Sequence, residues 1–264
     1  MTKLRQNLRK LWQDCYLAII MIFLYAPIAT MVVLSFNSSK SRTQWGGFTL
    51  RWYTEMFASR NIMDALYNTL TIAFLSAFIA TVIGTAACIA INKMRQVPRT
   101  LVMGITNIPM LNADIVTGIS LMLAFIAFGI SLGFKTILIA HITFNIPYVI
   151  LSVMPKLKQT SRSTYEAAMD LGAGPVMAFF KVVFPDILPG VLSGFLLAFT
   201  MSLDDFIITH FTRGAGINTL STLIYSEVRR GIKPSMYALS TVIFVTVLVL
   251  LLISNFAPKK QKQP

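Results

Sequence analysis

The chain has 264 residues, of which 55% are hydrophobic and 12% charged, with a formal net charge of +13 and a positive mean hydropathy. A water-soluble domain of this size does not tolerate so apolar a surface, so the composition excludes a soluble enzyme or binding module and predicts an all-α integral membrane protein. The basic residues are spread through every connection rather than gathered in one soluble domain, which argues against a nucleic-acid partner.

Residues 1–15 form a basic N-terminal segment, and the first uncharged run covers 16–36. That run is too long for a cleaved leader and no small-residue cleavage site follows it, so it is expected to remain as a helix. Further uncharged runs at 65–91, 136–154 and 235–257 reach the length needed to cross roughly 30 Å of hydrocarbon at about 1.5 Å per residue. Two more apolar stretches carry acid: 101–134 contains Asp114, and 187–212 contains Asp204 and Asp205. Six transmembrane helices within residues 16–257 follow, with a basic tail at 258–264. Cys15, at the start of the first span, and Cys88, deep in the second, are not placed for a disulfide. Pro27, Pro109 and Pro147 fall inside spans and are expected to kink them.

The connection 92–100 carries Lys93, Arg95 and Arg99 and no acid. A short, purely basic connection lies on the cytosolic side, which puts both termini there as well. The opposite connection, 37–64, holds Trp45, Gly46, Gly47, Trp52 and Tyr53. It reads as an ordered loop with aromatic residues at the interface, or as a contact for an external partner.

Residues 155–186 form a polar insert on the cytosolic side. Ser163 precedes Glu166 by three, the spacing of a reciprocal capping box, which predicts a short helix beginning near Thr164. Ala167 and Ala168 add little bulk, and Gly172 is suited to the left-handed conformation that ends a helix. Gly174-Pro175 restarts the chain, since proline fits a first helical turn. Such a knob, anchored to the next span, would pass a partner's motion into the bundle as a rigid-body shift. A capped surface helix without a partner is the plainer alternative.

Glu166-Ala167-Ala168, Gly172 and Val182-Val183-Phe184-Pro185 resemble, in spacing, the EAA loop of ABC-importer permeases. Ser35-Phe36-Asn37-Ser38-Ser39, Trp52-Tyr53, His141-Ile142-Thr143-Phe144 and Ser202-Leu203-Asp204-Asp205 extend the likeness nearly end to end. Together they look like the C-type permease subunit of spermidine/putrescine ABC importers. At position 221 this chain has serine where related permeases often have proline.

The resemblance implies the type I ABC-importer permease architecture, set in a bacterial inner membrane as a multi-pass protein. It implies a cytosolic ABC ATPase in two copies, a second homologous permease, an external polyamine-binding protein and surrounding lipid as partners, with no cofactor. It assigns Ser163, Glu166, Ala167, Ala168, Asp170, Gly172 and Pro185 to ATPase coupling.

A carboxylate in the middle of a lipid-facing helix costs roughly 2.5–3.5 kcal/mol, so Asp114, Asp204 and Asp205 call for a polar cavity or a cationic partner. Counted along straight helices, Asp114 lies about 20 Å from residue 101 and Asp204 about 26 Å from residue 187. That puts both acids at similar depth, able to line one route for a polyamine, with Tyr148 and Tyr225 as aromatic wall candidates. The alternative is a structural acid, capping a helix or pairing with Arg213. His141 reads as a hydrogen-bonded core histidine. No Walker A sequence occurs, so ATP hydrolysis is expected on a separate subunit and the chain is not expected to be an enzyme. An ion-driven secondary transporter or channel using the same acids is the first rival. An intramembrane aspartyl protease is a remote one, lacking the sequence contexts of that chemistry. Two isolated histidines make no metal site.

Overall fold

A computed structural model describes residues 2–256; the basic tail expected at 258–264 lies outside the described residues. Backbone in hydrocarbon must satisfy its own hydrogen bonds, and this chain does so with helices. In order these are α1 (Thr2–Ser35), α2 (Arg51–Ala58), α3 (Arg60–Lys93), α4 (Gln96–Leu111), α5 (Asp114–Ala127) and α6 (Phe134–Gln159). There follow α7 (Arg162–Asp170), α8 (Pro175–Ala178), a π-helical turn (Phe179–Val183), α9 (Phe184–Asp204), α10 (Ile207–Thr212), α11 (Leu220–Arg230) and α12 (Pro234–Phe256). Among the described residues, paired extended backbone is confined to one isolated bridge, Asn37 with Phe48.

Among the described residues, four helical stretches are long and apolar enough to cross a membrane by themselves: Trp12–Ser35, Arg60–Lys93, Phe134–Gln159 and Pro175–Asp204. The third expected span, 101–134, is not one straight helix. It is broken at Asn112-Ala113, where α4 and α5 meet at 105°, and it makes a fifth crossing if the pair is taken together. The last apolar segment forms α12, whose described apolar part, Pro234–Val249, is shorter. The helices run through Pro27, Pro109 and Pro147, and the break follows Pro109 by three residues. The break makes Asp114 the first residue of α5, where the positive end of the helix dipole favours a negative charge. The depth counted for Asp114 along a straight helix therefore does not hold.

The chain divides into two compact units, one from the described parts of Met1–Ile62 and Ser226–Pro264, the other Met63–Tyr225. In the first, α12 packs against α1 and α2. The loop between α1 and α2 is folded around Asn37, which is 2% exposed. Its Nδ2 donates to the carbonyls of Ser41 and Gln44 at 3.2 and 2.8 Å, and its Oδ1 accepts from the N–H of Ser39 and Gly46 at 3.1 and 2.8 Å. Trp52 Nε1 donates to the Asn37 carbonyl at 2.7 Å. Trp52 is thus a buried scaffold residue, whereas Trp45 is 57% exposed.

In the second unit α6 lies along α9, and α10 packs on α5 and α6. Small residues bring these helices together. A Cβ on Gly84 of α3 would lie 2.8 Å from Val149 Cγ1, and one on Gly190 of α9 would lie 2.9 Å from Lys156 Cγ. Ala77, Ala80, Cys88, Val149, Val153, Ile187 and Ala198 close the core.

Candidate functional site: an acid-lined cavity and an apolar-tipped insert

Two breaks in apolar helices carry the acids to one place. At the first, Asn112 (φ −79°, ψ 151°) and Ala113 (φ −65°, ψ 137°) are extended, and Asp114 opens α5. At the second, α9 ends on Asp204, and Asp205 (φ −60°, ψ 125°) turns the chain into α10. An open cavity of about 360 Å³ lies between these breaks and α6, lined by Asp114, Asp204 and Asp205 together with Phe144, Tyr148 and Phe206.

The three carboxylates are not equivalent. Asp205 Oδ1 accepts from the N–H of Ile208 at 3.2 Å, and Oδ2 accepts from the N–H and Oγ1 of Thr209, both at 2.8 Å. Its charge therefore serves the free N–H groups at the start of α10, as a helix cap does. No hydrogen bond or ion pair with another described residue engages the carboxylates of Asp114 and Asp204, and both residues are exposed. Asp204 ends a helix of 21 residues, where unpaired carbonyls already supply partial negative charge. A carboxylate there does not favour the helix; carboxylate and carbonyls together favour a cation.

Tyr225 does not line this cavity. It stacks on Phe206 at 4.4 Å between ring centroids, one layer behind the wall. Phe211 packs on His210 at 5.6 Å between ring centroids. Arg213 pairs with no cavity acid; it bonds Asn218 and, at 3.4 Å, the carbonyl of Ile217. His141 is a buried, hydrogen-bonded core residue, 1% exposed, bonded to Ser202 and to Thr209.

The insert between α6 and α9 carries Ser163, Glu166, Ala167, Ala168 and Asp170 on α7. The Ser163–Glu166 capping box is not what starts this helix. Ser161 is the N-cap, without a side-chain cap bond, and Ser163, inside the first turn, pairs with Ser161 through their hydroxyls at 2.6 Å. The end of the helix is firmer. Gly172 has φ +88°, its N–H reaches the Met169 carbonyl at 2.9 Å, and the Ala173 N–H reaches the Ala168 carbonyl at 3.1 Å, which together make a Schellman cap. Pro175 then opens α8, and Pro185 lies in the first turn of α9.

Sequence reading missed what sits at the tip. Leu171 is 89% exposed, Val176 70% and Met177 52%, large apolar side chains left open to solvent around the turn between α7 and α8. The available signal was the presence of large apolar residues at a turn, where solvent exposure is expected. Behind it, a groove of about 1060 Å³ is lined by Tyr165, Glu166 and Met169 of α7 and by Phe179 and Phe180 of the π-helical turn. Among the described residues no group of His, Cys, Asp or Glu is arranged to hold a metal ion.

A family model described as binding-protein-dependent transport system inner membrane component matches residues 80–260. The chain belongs to that family. This permease is 36% identical over 248 residues to the spermidine/putrescine transport system permease protein PotC of Haemophilus influenzae, covering 94% of the chain and 96% of the relative. It is 39% identical over 246 residues to the putrescine transport system permease protein PotI of Escherichia coli, strain K12, covering 90% of the chain and 88% of the relative. Its fold matches a chain of a bacterial ABC transporter involved in the import of the acidic polysaccharide alginate, with a TM-score of 0.69 and 18% identity over 99% of this chain and 100% of that one. A chain of the MetNI methionine ABC transporter in an inward-facing form matches with a TM-score of 0.59 and 20% identity over 74% of this chain and 95% of that one. The permease is therefore a multi-pass protein of the bacterial inner membrane with the ABC-importer permease fold.

Proposed function

We propose that this permease forms half of the translocation pathway of an ATP-driven polyamine importer. A second homologous permease supplies the other half, two copies of a cytosolic ATPase drive it, and an external binding protein delivers the cargo. Residues 16–257 cross the membrane six times, with both termini and the insert at 155–186 in the cytosol. ATPase coupling falls to Ser163, Glu166, Ala167, Ala168, Asp170, Gly172 and Pro185, with Leu171 and Val176 covered by the partner.

The observation that carries this reading is the convergence of Asp114, Asp204 and Asp205 on one aromatic-walled cavity. A polyamine bears several ammonium groups on methylene stems, and removing each from water unpaired costs several kcal/mol. Unengaged carboxylates on two helices offset that cost, and Phe144, Tyr148 and Phe206 face the stems and the cationic heads. The cavity is open, as a site must be that releases its cargo. The polyamine names carried by relatives at 36% and 39% identity point to the same class of cargo.

Asp204→Asn keeps the volume and removes the charge. In the assembled transporter it is expected to lower the polyamine moved per ATP hydrolysed by about tenfold, the equivalent of about 1.4 kcal/mol. Unchanged transport by that variant would contradict the assignment.

A further inference from the structure

His141 does not line the cavity, yet it stands at the centre of a hydrogen-bond chain that ends on one of the cavity's acids. Ser76 of α3 meets Ser202 of α9 at 2.9 Å, Ser202 meets His141 Nδ1, and His141 Nε2 meets Thr209 Oγ1 of α10 at 2.9 Å. Thr209 Oγ1 donates to Asp205 Oδ2 at 2.8 Å, and His141 Nε2 itself lies 3.4 Å from that oxygen. On its other side the Asp205 carbonyl accepts from Ser221 Oγ of α11 at 2.6 Å. Ser202, Thr209 and His141 are 4% exposed or less.

The carboxylate fixes the direction of the bonds nearest to it, and a neutral imidazole carries that direction on to Ser202. An ionised acid only accepts, so the single hydroxyl proton of Thr209 is committed to Asp205. Thr209 Oγ1 must then accept from His141, which puts the ring proton on Nε2. In the neutral ring Nδ1 is left as an acceptor, so Ser202 donates to it, while the Ser76 hydroxyl lies within reach of both Ser202 at 2.9 Å and the Ala73 carbonyl at 3.3 Å. From Ser202 through His141 and Thr209 to Asp205 the donors point the same way, and each bond polarises the next. The corner that this chain holds is the one that presents Asp204, the last residue of α9 and the neighbour of Asp205.

We infer that His141 is a positioning residue of the cargo site: as its Nε2–H tautomer it ties α6 to the α9–α10 corner and holds Asp204 toward the cavity. The inference rests on the reading of that cavity as the polyamine route. Without the imidazole, Ser202 and Thr209 lose their common partner, and the extended backbone at Asp205 is tied only at its own helix and at Ser221.

The test uses the complete transporter in proteoliposomes, with spermidine and putrescine as cargo, and reads polyamine moved per ATP hydrolysed. His141→Leu is expected to lower that ratio about tenfold while ATP hydrolysis per assembled complex stays within about twofold. His141→Gln, which can both donate and accept, is expected to restore most of it. Thr209→Val keeps the shape of the side chain and breaks the same chain at its next link, so it is expected to lower the ratio even if His141→Leu fails to assemble. An unchanged ratio in Thr209→Val, or a His141→Gln variant as impaired as His141→Leu, overturns the proposal. If Asp204→Asn lowers the ratio and these variants do not, only the role of His141 fails; if Asp204→Asn is also without effect, the cavity is not the route.

Discussion

Gly172→Val is expected to reduce ATP-driven uptake by the assembled transporter by about tenfold or more, whereas Gly172→Asn retains most of it. The glycine has φ +88°, and no neighbouring atom lies within 4 Å of where its Cβ would be. Added atoms therefore have room, and the penalty is one of backbone conformation. A residue with a Cβ pays roughly 1–2 kcal/mol in the left-handed region, a β-branched residue pays more, and asparagine is the side chain that visits that region most readily. Escape to negative φ would break the bonds to the Met169 and Ala168 carbonyls and swing α8 and Leu171 away from their places at the tip. Copurification of the ATPase with the permease should fall in step with uptake. Equal activity of the valine and asparagine variants would show that the cap does not matter to coupling.

Gly84→Leu is expected to cut the amount of folded permease in the membrane by about tenfold or more. The first added carbon alone would approach Val149 Cγ1 to 2.8 Å and Val149 Cβ to 2.9 Å, and Val149 is fully buried and stiff at χ1. Overpacking of this kind costs typically 1–3 kcal/mol, which is from several-fold to over a hundredfold in a folding equilibrium. Gly190 offers a contrast. Its Cβ would meet Lys156 Cγ at 2.9 Å and Lys156 Cβ at 3.1 Å, on an exposed residue whose outer stem is free to turn away, whereas both close atoms at Gly84 lie under 3.0 Å on a buried side chain. Gly190→Ala should accordingly cost less than Gly84→Ala, even though the Ser152 carbonyl lies 3.1 Å from the added atom. Thermal unfolding of the purified variants in detergent checks the order, and a Gly84→Ala protein more stable than Gly190→Ala would refute the packing explanation.

The chemistry of the site was legible in the sequence, its geometry only partly so. Asp114, Asp204 and Asp205 stood out because an acid in an apolar run is costly, and the structure brings them to one cavity. What hydropathy could not give was the pair of helix breaks. Asn112-Ala113 carries neither proline nor glycine, and an apolar run that bends by 105° has the same composition as a straight one. The same limit applies to Tyr225, whose place behind Phe206 is set by the fold of α10 and α11. Gly172 was readable because only one residue type takes φ > 0 freely. The start of α7 was not, since Ser161 and Ser163 both satisfy the rule for an N-cap and their hydroxyls compete with each other. Asn37 and Trp52 were recognisable as a pattern, but the four bonds by which one asparagine side chain gathers Ser39, Ser41, Gln44 and Gly46 depend on how the loop folds back, which spacing does not encode.

ATP-dependent accumulation of polyamine in proteoliposomes, measured for the complete transporter and for this chain alone, bears most directly on whether the permease is one coupled half of a driven pathway. Accumulation is expected only when ATP, ATPase, second permease and liganded binding protein are all present, and it should fall by about tenfold or more when residues 162–178 are replaced with a flexible linker. Accumulation by this chain alone without nucleotide, or undiminished accumulation with the linker in place, would contradict it.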